Sequence, residues 1–244
     1  MFEREENNFI PGIFNYCDRW CERCPLTARC SVYAMVEDEQ QAEEYAGGAR
    51  TATQEAFWRN LQNIFTETKE MLREAAAERG IDIDQLDLKE ASEIIERQRC
   101  SVEQQNLMKL AEKYTKQAGV FLKTQNLSDE TLDHTQLEML QIIGWYHYFI
   151  AAKINRALYA EADYEKDADS DAFRNDGDGS IKIALIAIDR STIAWKVLLN
   201  DETNREIKPL IQLLDTLRRL CEEKFPNARD FLRPGFDEII EMVM

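Results

Sequence analysis

Helical periodicity runs through most of this 244-residue chain, and few residues interrupt it. The sequence has only 9 glycines and 5 prolines, which favours long helices over many short strands joined by turns. Between about Thr53 and Glu78, apolar residues recur at the 3.6-residue spacing of an amphipathic helix. No stretch alternates with the two-residue period of a strand. The sequence therefore predicts an all-α protein with a bundle-like arrangement of helices.

Capping residues and glycines predict where the helices begin and end. Helix starts are expected near Val32, Thr53, Ser128 and Ser180. Helix ends are expected at Tyr45, before Gly47 and Gly48, and before Gly80. Capping boxes are expected at Ser101 with Gln104 and at Thr203 with Glu206. The apolar pattern changes phase after Val102, which indicates a break between two helices or a kink in one. An acidic loop is expected over about residues 166–179.

The first 32 residues differ in character from the rest of the chain. They are rich in aromatic residues and cysteines, and Pro11, Gly12 and Pro25 interrupt them. We therefore predict a single all-α domain. Its loop-rich, cysteine-containing N-terminal cap covers residues 1–32, and its helical bundle covers residues 33–244.

The formal net charge of −16 restricts the classes of partner. A nucleic-acid-binding protein is expected to have a basic face, and an anionic membrane surface would repel this chain. The N-terminal segment MFEREENN is acidic and lacks the apolar run of a secretory signal. We therefore expect a cytoplasmic protein that binds neither nucleic acid nor membrane. The acidic surface either only keeps the protein soluble or receives a basic or metal-bearing partner.

Four of the six cysteines lie in one short stretch with the spacing C-x3-C-x2-C-x5-C. These four cap cysteines are Cys17, Cys21, Cys24 and Cys30. Thiolates are the soft donors that zinc and iron–sulfur clusters prefer, and arginines outnumber acids within the stretch, which lowers thiol pKa values. In a reducing cytosol such cysteines are metal ligands or free thiols more often than disulfides. The pattern predicts one metal centre held by all four.

Residues 17–30 resemble the cysteine segments of iron–sulfur proteins. The run from Cys21 to Pro25, followed by Cys30, is similar to the C-x2-C-x5-C run of SPASM-type auxiliary cluster domains. A proline after a ligand cysteine also occurs in bacterial ferredoxins. The resemblance covers these residues alone and implies an iron–sulfur cluster, of the 4Fe–4S type. The spacing from Cys17 to Cys24 also matches radical SAM enzymes, but the chain lacks the strand–helix alternation of their barrel, so we exclude that class.

Other interpretations of the four cap cysteines stay open. Zinc is the alternative metal, although structural zinc sites usually combine two short ligand pairs and this segment has one. A redox-active or merely buried set of thiols is the third interpretation. Four protein ligands leave no open coordination position, which favours a structural centre in a protein that acts through binding or assembly with a protein partner. The alternative is an electron-transfer protein in which a 4Fe–4S cluster is the working part.

The remaining candidate sites are weaker. The acidic loop contains NDGDGSI, but aligning it with a calcium-binding EF-hand puts Arg174 and Leu185 at two essential carboxylate positions. His147 lies on an apolar helix stripe and is predicted to be a hydrogen-bonded core residue. The Glu-x-x-His motif of di-iron bundles is absent.

A divalent-metal hydrolase is the third functional class. It would use helical carboxylates such as Glu67, Glu70, Glu74, Glu93 and Glu96. The other two cysteines, Cys100 and Cys221, are predicted to be packing residues or free thiols. An aromatic run around Trp145 and Tyr146 is expected to form part of the core, with the rest facing either a partner or the cap residue Trp20.

Overall fold

The computed structural model describes residues 8–36, 54–83, 105–124, 132–164, 171–199 and 206–237, with positions 89, 92, 93, 95–97, 99 and 101. In these residues the chain forms helices and turns, and they contain no β-strand. The predicted all-α class is confirmed. The chain divides into two compact units, residues 31–96 and residues 1–30 with 97–244. The division into a cap of residues 1–32 and a bundle of residues 33–244 stays a prediction.

Helix α1, Gln54–Ala77, is the main element of the unit of residues 31–96. It ends in a Schellman motif, because Ile81 N donates to Ala76 O at 2.9 Å and Gly80, at φ 70°, donates to Ala77 O at 3.0 Å. These bounds agree with the predicted helix. Its apolar stripe is partly uncovered, since Phe65 is 66% exposed. Residues 31–36 are also helical, and the predicted end of that helix lies outside the described residues.

Within the described residues, four long helices make up most of the larger unit. They are α2 (Asn106–Thr124), α3 (His134–Tyr164), α4 (Asp171–Leu198) and α5 (Ile207–Lys224). The most extensive contacts join α2 with α3, α3 with α4, α4 with α5, and α5 with α2. The contacts therefore close a four-helix ring around one core. A 3-10 turn, Ala228–Asp230, follows α5 and packs on α4.

The core of this ring is apolar and tightly enclosed. Its largest fully buried side chains include Trp195, Tyr114, Ile143, Ile154, Leu158 and Leu185. Trp195 and Tyr114 are joined by a buried hydrogen bond, in which Trp195 Nε1 donates to Tyr114 Oη at 3.1 Å. Burial of this apolar surface is the main stabilising contribution, at about 25 cal/mol for each Å² removed from water.

Helix α3 begins at a capping box that the sequence analysis did not select. Asp133 Oδ1 accepts from Gln136 N at 2.7 Å, and Gln136 Oε1 accepts from Asp133 N at 3.0 Å. The predicted start at Ser128 lies outside the described residues, as do the predicted caps at Gln104 and Thr203. Helix α2 follows a bend at Gln105, near the predicted break in the apolar phase.

The predicted acidic loop is wrong over residues 171–179, which belong to α4 rather than preceding it. Residues 165–170 lie outside the described residues. Tertiary contacts explain the helix, because they outweigh the poor helix propensity of glycine and aspartate. Asp176 pairs with Arg156 of α3, with Nε at 3.0 Å from Oδ2. Gly179 is buried against the rings of Tyr16 and Phe231, where any side chain would collide.

Candidate metal centre

The cysteine segment, residues 17–30, folds as a series of tight turns in the larger unit. Two 3-10 turns, Cys21–Arg23 and Thr27–Arg29, each lead into a cysteine. Cys24 N donates to Cys21 O and Cys30 N donates to Thr27 O, both at 3.1 Å. A backbone hydrogen bond of 3.0 Å from Ile10 N to Arg29 O closes the ends of the cap. The chain therefore turns back on itself between successive cysteines.

Arg19 has the most unusual backbone conformation of this segment. Its φ of 59° lies in the left-handed region, and it is the one non-glycine residue with positive φ in the described part of the chain. Such a conformation costs about 1–3 kcal/mol, and it persists where surrounding contacts enforce it, often at functional sites. The backbone N–H of Arg19 is among the groups that lower the pKa of Cys17.

All four cap cysteines are half-buried free thiols. Burial raises the pKa of Cys21, and the other three cap cysteines raise it further. Cys17, Cys24 and Cys30 therefore lie within electrostatic range of Cys21.

A backbone amide donates a hydrogen bond to one of the sulfurs, from Leu26 N to Cys24 Sγ at 3.4 Å. Burial raises the pKa of Cys17, and the N–H of Arg19 offsets part of this increase. Hydrogen bonds of this kind stabilise the thiolate form, which is the form that binds metals. The Cys17 thiol itself donates to Phe14 O at 3.6 Å, a contact that ionisation would remove.

The donors do not converge on one ion. Among the residues that the structure describes, no group of three or more His, Cys, Asp or Glu side chains is placed to hold a metal ion. This holds for the four cap cysteines and for the described carboxylates. It limits the kinds of metal centre that the cysteine segment fits.

Asp18 is the main anchor between the cysteine segment and the bundle. Its Oδ2 accepts hydrogen bonds from Tyr146 Oη at 2.7 Å and from Arg190 Nη1 at 2.6 Å. Its carbonyl oxygen accepts from Trp145 Nε1 at 2.9 Å. Burial and the Asp18 carboxylate raise the pKa of Tyr146 to about 12, so the phenol stays protonated as a donor. Helices α3 and α4 therefore hold the residue that follows Cys17.

Aromatic stacking adds a second attachment. Trp20 stacks on Trp145, with ring centroids 5.1 Å apart, and meets Tyr146 edge-to-face at 6.0 Å. The Arg23 guanidinium lies 4.0 Å above the Trp20 ring and pairs with Glu138 at 3.3 Å. The aromatic run of α3 thus receives the cap, as one of the two predicted alternatives had it.

The residues just before Cys17 are also tied to the bundle. Lys153 Nζ, on α3, donates to Asn15 O at 2.9 Å, and Tyr16 Oη donates to Asp176 Oδ1 at 3.3 Å. Burial lowers the pKa of Lys153 to about 8. The ring of Tyr16 meets Phe231 edge-to-face at 4.7 Å. None of these attachments requires a metal.

The other sequence-predicted residues are not part of the cysteine segment. His147 is 8% exposed and its Nδ1 lies 2.7 Å from Gly144 O, which confirms a hydrogen-bonded core histidine. Cys221 is fully buried, as predicted for a packing residue, and the side chain of Cys100 lies outside the described part. The predicted hydrolase carboxylates, Glu67, Glu70, Glu74, Glu93 and Glu96, are exposed.

Sequence reasoning selected the aromatic run around Tyr146 as a possible surface for the cap, but it did not select Asp18, Lys153 or Arg190. Asp18 follows a predicted ligand, which is a weak local signal. Lys153 and Arg190 carry no local signal, because only the tertiary structure places them against residues more than a hundred positions earlier.

Comparison with known proteins gives no relative from which a function could be transferred. No protein-family model, curated protein or solved structure matches the chain. Within the described residues, no helix is both long enough and apolar enough to cross a membrane. A functional assignment therefore depends on the site alone.

Proposed function

We propose that this is an iron–sulfur protein in which the four cap cysteines hold a 4Fe–4S cluster. The observation that carries the proposal is the position of the four cysteines on successive tight turns within residues 17–30. The amide of Leu26, which donates to the Cys24 sulfur, supports it, because N–H···S hydrogen bonds are a normal feature of cluster environments and tune their potentials.

The sequence pattern of the cysteines favours a cluster over zinc. Structural zinc sites usually combine two short ligand pairs, whereas residues 17–30 contain one. In a 4Fe–4S cluster each thiolate binds a different iron, so the four ligands need not converge on one ion, and no described donor group does so. When bound, the cluster would supply one-electron redox chemistry.

The contacts of the cap favour a working cluster over a structural staple. Asp18, Trp20 and Lys153 already join the cysteine segment to α3 and α4 without any metal. A metal is therefore not needed to keep the cap in place. The half-buried position of all four cysteines would leave the cluster close enough to the surface for electron exchange with a protein partner.

Four serine variants and one control test the proposal. Each of Cys17→Ser, Cys21→Ser, Cys24→Ser and Cys30→Ser should reduce or abolish the brown colour and the absorbance near roughly 400 nm of protein purified without oxygen. Cys221→Ala, in the buried core, should keep both. Dithionite should bleach the wild-type absorbance reversibly. Colourless wild-type protein with one bound zinc per chain would overturn the assignment.

The same samples separate a working cluster from a staple. If the cap is held by its own contacts, removing the cluster should leave near-ultraviolet circular dichroism from the Trp20–Trp145 stack largely unchanged. Loss of that signal together with cooperative unfolding of the bundle would mean that the metal is structural.

A further inference from the structure

A pocket of about 480 Å³ opens beside the cysteine segment. Its walls come from the cap, from α3 and α4, and from the segment after α5, all within the larger unit. The residues that decide its chemistry are Trp20, Arg23, Tyr146, Arg190, Arg233 and Phe236. The volume lies in the range of small-molecule sites, which is about 300–1,000 Å³.

Arginines outnumber acidic residues among the residues that line this pocket. Three of its four charged lining residues are arginines and the fourth is Asp18, whereas the chain as a whole carries −16. A guanidinium presents a planar fork of N–H donors that matches carboxylate and phosphate groups. A concentration of three such groups in one cavity favours an anionic ligand.

Each of these arginines is already held in place by a carboxylate. Arg190 Nη1 pairs with Asp18 at 2.6 Å, and Arg23 Nη1 pairs with Glu138 at 3.3 Å. Arg233 forms a bidentate pair with Asp237, through Nε at 2.9 Å and Nη2 at 2.8 Å. Fixed side chains lose less conformational freedom when a ligand binds, so the pocket is preorganised.

Donor capacity remains after these pairs form. Within the part of the chain that the structure describes, the hydrogen bonds of Arg190 use only Nη1, which donates to Asp18 and to the Tyr146 hydroxyl. Its side chain is 52% exposed. The Nε and Nη2 donors of Arg190 can therefore reach a ligand without breaking the anchor on Asp18.

Every pocket arginine is also paired with an aromatic ring. Arg23 lies 4.0 Å from the centroid of Trp20, Arg233 lies 4.9 Å from that of Phe236, and Arg190 lies 5.9 Å from that of Tyr146. Tyr146 is only 1% exposed, so Trp20 and Phe236 supply the aromatic surface of the walls. Such walls suit a ligand with a ring that packs on this surface and an oxyanion that the guanidinium groups bind.

We propose that this pocket binds a small aromatic oxyanion, a planar ring that carries a carboxylate or a phosphate group. The proposal does not rest on the iron–sulfur assignment, because its donors are arginines and only Cys24 of the four cap cysteines lines the cavity. The two are nevertheless adjacent, so a bound ligand would lie next to the proposed cluster.

Four probes separate the contributions of ring and charge. Isothermal titration calorimetry would compare benzoate, phenyl phosphate, phenol and inorganic phosphate. At least one aromatic anion should bind saturably, and about tenfold or more tightly than phenol and inorganic phosphate, since charge-assisted hydrogen bonds discriminate by about that factor. The stronger of benzoate and phenyl phosphate identifies the oxyanion. No saturable binding of either, or phenol binding equally well, would overturn the proposal.

Two variants and a control locate the binding. Arg190→Gln and Arg233→Gln should each weaken binding of the better probe by about tenfold. Arg219→Gln removes an exposed arginine of α5 that pairs with Glu223 and should leave affinity unchanged. Because Arg190 also contacts Asp18, thermal unfolding of each variant checks its fold, and Arg233→Gln serves if Arg190→Gln is unfolded. Equal affinity in both pocket variants and the control would contradict the site.

The experiment also distinguishes this proposal from the iron–sulfur assignment. Titrations would use the full chain both as purified without oxygen and after iron removal by a chelator. Binding in protein that carries no iron under any preparation would sink only the cluster. A cluster-loaded protein that binds none of the aromatic anions would sink only the pocket.

Discussion

Asp18 and Tyr146 join the cysteine segment to the middle of α3 through a 2.7 Å hydrogen bond between carboxylate and phenol. The same carboxylate oxygen accepts from Arg190 of α4 at 2.6 Å. One side chain next to Cys17 therefore connects the cap with two helices of the bundle. This anchor determines where the cysteines lie and forms one edge of the arginine pocket.

Replacing Asp18 tests the anchor. Asp18→Ala leaves the donors of Tyr146 and Arg190 without their acceptor, so we expect a loss of about 1–3 kcal/mol in the free energy of unfolding. Urea denaturation measures it. The matched control is Asp215→Ala, which breaks an exposed pair with Arg218 within α5 and should change stability by less than about 0.5 kcal/mol. Equal effects of the two variants would show that Asp18 is no anchor.

Two glycines of the bundle should respond oppositely to the same substitution. A Cβ at Gly179 would lie 2.4 Å from Tyr16 Cε1 and 2.8 Å from Phe231 Cζ, so Gly179→Ala should destabilise by about 1–3 kcal/mol through overpacking. A Cβ at Gly144 meets nothing within 4 Å, so Gly144→Ala should be neutral or stabilise by up to about 1 kcal/mol through helix propensity. Thermal unfolding of both variants gives the comparison. A Gly179→Ala protein as stable as wild type would mean that the cap does not pack there.

His147 should make stability depend on pH in weakly acidic solution. Burial lowers the pKa of His147 below its usual 6.5, so the unfolded chain binds a proton more readily than the folded one. Its contribution is fully present above pH 6.5 and is lost as pH falls through the lower folded pKa. Wild type should therefore lose more stability than His147→Gln between neutral pH and pH 5. Parallel pH profiles of the two melting temperatures would refute this role.

Local sequence patterns predicted some parts of the fold correctly and other parts wrongly. Helix α1 and the burial of His147 followed from periodicity, because a 3.6-residue pattern is a local property. The stretch around Gly177 and Gly179 was predicted as a loop because these residues have low helix propensity. Contacts of Gly179 with Tyr16 and Phe231 favour the helix. Contacts between residues so far apart in the chain cannot be recognised from a short stretch of sequence.

The candidate site also has one part that the sequence predicted and another part that only the fold reveals. The spacing of the four cap cysteines selected them, and they lie on successive tight turns of one segment; their role as metal ligands stays a prediction. The arginine pocket brings together Arg23, Arg190 and Arg233 from three distant parts of the chain. Each is an ordinary surface residue by sequence, so only the fold could reveal that they share a cavity.

Iron and acid-labile sulfide content tests the central claim most directly. Wild-type protein purified without oxygen, or reconstituted with iron and sulfide, should contain about four irons and about four sulfides per chain. The same determination on Cys21→Ser protein should show most of both lost. Wild-type protein with stoichiometric zinc, or with neither iron nor sulfide after reconstitution, would contradict a 4Fe–4S cluster on these cysteines.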